Sequence, residues 1–121
     1  MFSYTVRNRI AEVTIEGGTS RSEIRDLKSK LDSDAEVNAT TCLLVEVREL
    51  EGWTASREGL QDLAELWSAG NYGEGRRCAV IVDRPLLHGF ARLVGVYSER
   101  HGVAMRVFWD RDEALRWLRR P

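Results

Sequence analysis

Proline and cysteine are scarce in this chain of 121 residues, with two of each, and neither is placed to staple a fold. Cys42 and Cys78 have no CxxC spacing, and each opens an apolar run, "CLLVEV" and "CAVIV", where a reduced thiol acts as a small hydrophobe. Histidine is equally sparse: His88 and His101, with two scattered cysteines, do not supply the three or four convergent ligands of a metal site. No metal and no cofactor is expected. No segment approaches the roughly 18 continuous apolar residues that span a bilayer, and the start, "MFSYTVRNRI", has no apolar signal core. These absences predict no integral membrane segment and make a cytoplasmic protein the simplest reading. There is no excess of positive charge either. Lys+Arg number 18 against Asp+Glu 19, a net charge of -1, so no overall field draws a phosphate backbone and nucleic acid is disfavoured as a partner.

What is present fits an ordinary globular unit. A composition 43% hydrophobic and 31% charged argues against disorder. A chain of this length buries roughly two thirds of its unfolded surface, enough for a core without staples. One domain over residues 1–121 is the expectation.

Period-two alternation predicts strands β1 (2–7) and β2 (10–16), broken at Asn8-Arg9 in the manner of a tight hairpin. Ser20 followed by Glu23 makes a capping box for helix α1, whose Ile24, Leu27 and Leu31 share one face. Strand β3 (42–47) follows, then the loop "RELEGWTAS". Leu60, Leu63, Ala64 and Trp67 repeat at helical spacing in α2 (57–69). The glycine-punctuated connector "NYGEGRR" leads to β4 (78–82), a continuous apolar run typical of a central parallel strand. Pro85 opens α3, with Leu86, Leu87, Phe90, Leu93, Val94 and Tyr97 on its buried stripe and Gly102 at its end. Strand β5 (103–108) precedes α4 in "WDRDEALRWLRR", for which Asp110 and Glu113 form a second capping box and Arg119 and Arg120 complement the helix dipole.

The order β-β-α-β-α-β-α-β-α, without internal repeat or linker, predicts an α/β fold on a mixed, mostly parallel five-stranded sheet. Leu43, Val45 and Val47 oppose Leu44, Glu46 and Arg48. Ala11, Val13 and Ile15 oppose Glu12, Thr14 and Glu16. One sheet face is therefore partly polar, whereas a doubly wound sheet covers both faces. Right-handed crossovers that add strands in one direction put the helices mainly on one face and leave no reversal point to mark a ligand crevice. Glu46 and Arg106 are candidates for a cross-strand pair on the polar face.

The element order, the "EGW" after β3, the helix "LLHGFARLVGVYSE" and the closing "VFWDRDEALRWL" together resemble the SpoIIAA-like, or STAS/SEC14-type, small bacterial proteins. The likeness runs over nearly the whole chain, and its most specific piece is the tail. It implies a one-sided β-α superhelix and a largely non-enzymatic family that includes anti-sigma-factor antagonists, domains attached to anion transporters and Sec14-type lipid carriers. In the antagonist branch a serine preceded by aspartate, at the start of the helix after the third strand, is phosphorylated to break a partner contact. The corresponding positions here read Trp53-Thr54-Ala55-Ser56-Arg57, with no Asp-Ser pair. Ser56 or Thr54 supplies the N-cap of α2, a need that exists whatever the function.

No catalytic constellation stands out. Asp83 and His88 fall near one another in sequence and Ser56 lies in a loop on the same side, so a hydrolytic centre is the third reading. "NYGEGRR" lacks the Lys-Ser/Thr of a phosphate loop and runs into a strand where such a loop runs into a helix. Aromatics are more informative. Trp67 and Trp117 lie in or beside the inner stripes of α2 and α4 and read as core. Trp53 and Trp109 fall where strands end, on the side that also carries Thr54, Ser56, Asp83, Leu86, Leu87 and His88. That rim suits a protein partner first and a small apolar molecule or lipid second, since aromatics with polar edges dominate contact energetics. The local alternative is a staple from Trp53 onto α2 and a cap from Trp109 on β5. The edge strand "FSYTV" offers a further surface: pairing with its own copy gives a two-fold dimer that buries Phe2 and Tyr4.

Overall fold

Asn8 and Arg9 reverse the chain with both φ angles positive, 52° and 63°. Two such residues in succession make the type I′ turn, whose twist matches that of the strands it joins. The computed structural model describes residues 2–16, 20–37, 41–48, 77–82 and 104–120. The turn joins β1 (Phe2–Arg7) to β2 (Ile10–Glu16) in antiparallel register from Arg7↔Ile10 to Phe2↔Ile15. β3 (Cys42–Arg48), β4 (Arg77–Val82) and β5 (Ala104–Phe108) then add in parallel, giving the sheet order β1-β2-β3-β4-β5. The strands stand in chain order, so the sheet has no reversal point. The predicted α2 and α3 lie outside the described residues.

α1 (Arg21–Ser33) begins where the sequence places it: the Ser20 hydroxyl accepts from the Glu23 N–H at 3.3 Å. Ile24, Leu27 and Leu31, at helical spacing, are buried against Ala11, Val13, Val45 and Val80, the inward side of the central strands. Full burial of one such leucine contributes about 2 kcal/mol. After the helix, Asp34 accepts from the Glu36 and Val37 N–H groups, and the buried Thr41 hydroxyl donates to the Glu36 carbonyl at 3.2 Å.

α4 (Arg111–Leu118) takes the opposite face. Ala114 and Leu118 close over Ile10, Leu44, Ala79 and Ile81 in a second apolar cluster, with Leu115 and Trp117 at its border. Of the two described helices, α4 is thus the exception to the expected one-sided placement. Crossover handedness constrains only helices that join two parallel strands, and α4 follows the last strand of the sheet, free to fold back on either side. Its N-cap also differs from the expected box: Asp110 accepts from the Asp112 N–H at 3.3 Å, and Glu113 is exposed.

With apolar side chains packed on both faces, β4 is buried from Cys78 to Val82, as its unbroken apolar run predicts. Cys78 is fully covered and Cys42 half covered, neither of them in a disulfide and both within the apolar packing. Toward β1 the α4 side of the sheet turns polar. Ser3, Thr5 and Arg7 are exposed there beside Glu12 and Thr14. Glu12 pairs with Arg7 at 3.2 Å and with Arg111, tying the hairpin to the first turn of α4. Glu46 does not reach Arg106, because β4 separates their strands. It pairs with Arg48 on its own strand at 2.8 Å, while Arg106 stacks over the Phe108 and Trp117 rings, 5.8 Å from each centroid.

Candidate functional site

β3, β4 and β5 are parallel neighbours, so Arg48, Val82 and Phe108 end at one margin of the sheet. Strand order β1-β2-β3-β4-β5 gives this margin no reversal point to mark a ligand crevice, so the site is located by its lining. A cleft of about 350 Å³ opens at this margin. Among the described residues it is lined by Glu46, Val47, Arg48, Ile81, Val82 and Trp109.

Trp109 is the first residue past β5 and is 54% exposed, the large exposed hydrophobic of the described surface. Its position follows from its neighbours. Phe108 is held by the ladder to Ile81, and Asp110 is held as the α4 cap, so the corner between them presents the indole at the cleft. Glu46 and Arg48 line the same cleft as an ion pair, partly solvated, a geometry worth less than about 1 kcal/mol to stability. Val47, Ile81 and Val82 give the floor its apolar character. The arrangement combines an aromatic, an apolar floor and one charge of each sign, which is chemistry for contact and orientation.

Of the residues singled out from the sequence, Trp109 is placed at this cleft. Trp53, Thr54, Ser56, Asp83, Leu86, Leu87 and His88 lie outside the described residues, as do Trp67, His101 and the "NYGEGRR" connector. From the sequence, Glu46 and Val82 were legible as strand residues and Arg48 as the start of the loop after β3, none of them as part of a site. The signal that finds them is position: each stands at or within two residues of the carboxyl end of a parallel strand.

A family model described as SpoIIAA-like matches residues 10–119. The chain belongs to the SpoIIAA-like family. The match takes in β2 through α4 and leaves β1 outside it. Searches of curated proteins and of solved structures each found no match. Membership makes this a STAS-type α/β domain, in accord with the five-stranded mixed sheet, and SpoIIAA-like domains typically bind proteins. No described helix of this SpoIIAA-like chain is long and apolar enough to cross a membrane.

Proposed function

We propose that this chain is a single SpoIIAA-like domain that works without catalysis in the cytoplasm, binding a protein partner at the carboxyl margin of its parallel strands. The observation that carries this reading is Trp109, exposed beside a cleft with an apolar floor and a Glu46–Arg48 pair. Tryptophan at the centre of an interface contributes more than most residue types, because it buries a large rigid surface and keeps one donor for a partner. The segments that follow β3 and β4 carry Trp53, Thr54, Ser56, Asp83, Leu86, Leu87 and His88, and these complete the proposed rim.

The test is affinity capture from the native host with wild type, Trp109→Ala and Trp53→Ala, read by quantitative mass spectrometry. The reading expects a protein retained by wild type to be lost with Trp109→Ala while the melting temperature stays close to wild type. Retention unchanged in both variants overturns it.

A second reading, a small-ligand carrier or sensor, is supported by the same cleft. Its volume of about 350 Å³ sits at the lower end of the roughly 300–1,000 Å³ of ligand pockets. This favours a compact, partly apolar molecule over a two-chain lipid. Native mass spectrometry of protein from its host checks it: a bound mass beyond the 13.8 kDa chain supports the carrier, and bare chain alone counts against it.

A further inference from the structure

We infer that β1 is a self-complementary edge through which two copies of this chain join their sheets. Among the described residues β1 has a hydrogen-bonded neighbour on one side only, β2. Sheet edges are normally blunted by proline, lysine, a bulge or an inward-pointing charge. Phe-Ser-Tyr-Thr-Val-Arg contains none of these: the register runs without interruption from Phe2↔Ile15 to Arg7↔Ile10, and the one charge, Arg7, is at the turn end and engaged by Glu12. The opposite edge, β5, carries Arg106 in its middle.

The two-residue turn decides which backbone groups face outward. Arg7 and Ile10 close the turn and so exchange hydrogen bonds, and antiparallel alternation gives the same role to Thr5 and Ser3. The N–H and C=O groups of Phe2, Tyr4 and Val6 therefore point away from β2. A two-fold axis through Tyr4, perpendicular to the sheet, sets Tyr4 opposite Tyr4 of the second copy and Phe2 opposite Val6. Each of these is then a hydrogen-bonded pair, about six backbone bonds in all. Between them Ser3 meets Thr5. Aromatic with aromatic, aromatic with β-branched, and hydroxyl with hydroxyl are favourable cross-strand pairs, and no like charges stand opposite.

This register also revises what such a dimer buries. Phe2 and Tyr4 are already half-buried on the α1 side, with Lys30 5.2 Å from the Phe2 ring and the Tyr4 hydroxyl bonded to Asp34. Association covers the edge backbone and extends an existing layer. The surface lies on the strand farthest from β5 and is independent of the cleft.

The test uses Ser3 and Thr5, exposed on the solvated face. Light scattering on the full chain is expected to give twice the 13.8 kDa chain mass. Ser3→Lys with Thr5→Lys sets like charges opposite across the axis and is expected to halve that mass with an unchanged circular dichroism spectrum. Ser3→Glu with Thr5→Lys sets opposite charges there and is expected to restore the dimer. Wild type at the single-chain mass at every concentration, a doubly lysine-substituted variant that stays dimeric, or a charge-paired variant that stays monomeric overturns the inference.

Discussion

Arg77 closes the carboxyl end of α4, its Nη1 donating to the Trp117 carbonyl at 2.9 Å and to the Arg120 carbonyl at 2.7 Å. Its guanidinium also lies 5.7 Å from the Trp117 ring centroid. One residue at the start of β4 thus adds a side-chain donor to the Trp117 carbonyl, which also accepts from the Arg120 N–H at 3.3 Å, reaches the Arg120 carbonyl just past the helix, complements the helix dipole and covers an aromatic face. Arg77→Ala is expected to cost about 2 kcal/mol. Arg77→Lys recovers only part of that, because an ammonium lacks the planar fork and the stacking surface. Urea unfolding of the three proteins measures both differences.

Arg9 holds φ at 63° without the conformational freedom of glycine. An asparagine-glycine pair is the preferred type I′ turn, and the left-handed region costs a residue bearing Cβ about 1 kcal/mol. Arg9→Gly is expected to raise stability by about 0.5 kcal/mol, since added freedom in the unfolded chain offsets part of the relief. The change leaves the backbone bond from the Cys42 N–H to the Arg9 carbonyl, 2.9 Å, in place. Thermal melts compare the two chains directly, and a lower melting temperature contradicts the expectation.

Tyr4 supplies a pH dependence on the alkaline side. Burial raises its phenol pKa above the usual 10.0, and donation to Asp34 at 3.0 Å raises it further. A folded-state pKa above the unfolded one means the protonated phenol favours folding. That contribution is complete below pH 10.0 and is lost as pH rises through the folded value. Tyr4→Phe is expected to cost about 1 kcal/mol at neutral pH and to flatten the loss of stability above pH 10.0 that wild type shows. Stability profiles from pH 7 to 11 test the sign.

Glu12 joins two arginines from separate elements, Arg7 beside the hairpin turn and Arg111 in the first turn of α4. Both arginines are substantially solvated, so the pairs are modest. Glu12→Ala is expected to lower stability by about 1 kcal/mol, with a smaller effect at high salt because exposed pairs are screened. A cost that does not change with salt argues against the ion-pair origin.

Leu27, fully buried between α1 and the sheet, measures the larger core. Leu27→Ala is expected to cost about 3 kcal/mol, the lost transfer energy plus that of the cavity left behind. Guanidinium titration gives the value.

Local pattern was enough for the strands and caps. The alternation of β1 and β2, the Asn8-Arg9 break, the unbroken run of β4 and the Ser20 cap each depend on residues within a few positions of one another, and each stands within a residue of its expected place. Parallel order also followed, because helical patterns between strands leave few alternatives. The side taken by α4 did not follow. It depends on which apolar patch, Ile10 with Leu44 and Ile81, remains to be covered after α1 has taken the other face. The partner of Glu46 was equally hidden, since strand neighbours are settled only when the sheet is assembled and β4 comes between β3 and β5. For the site, sequence named Trp109 as an aromatic at a strand end. Its meeting with Glu46, Arg48 and Val82 is long-range, produced by the parallel register of three strands far apart in the chain. Propensity acts through neighbouring residues, and a cleft forms only where distant ones converge.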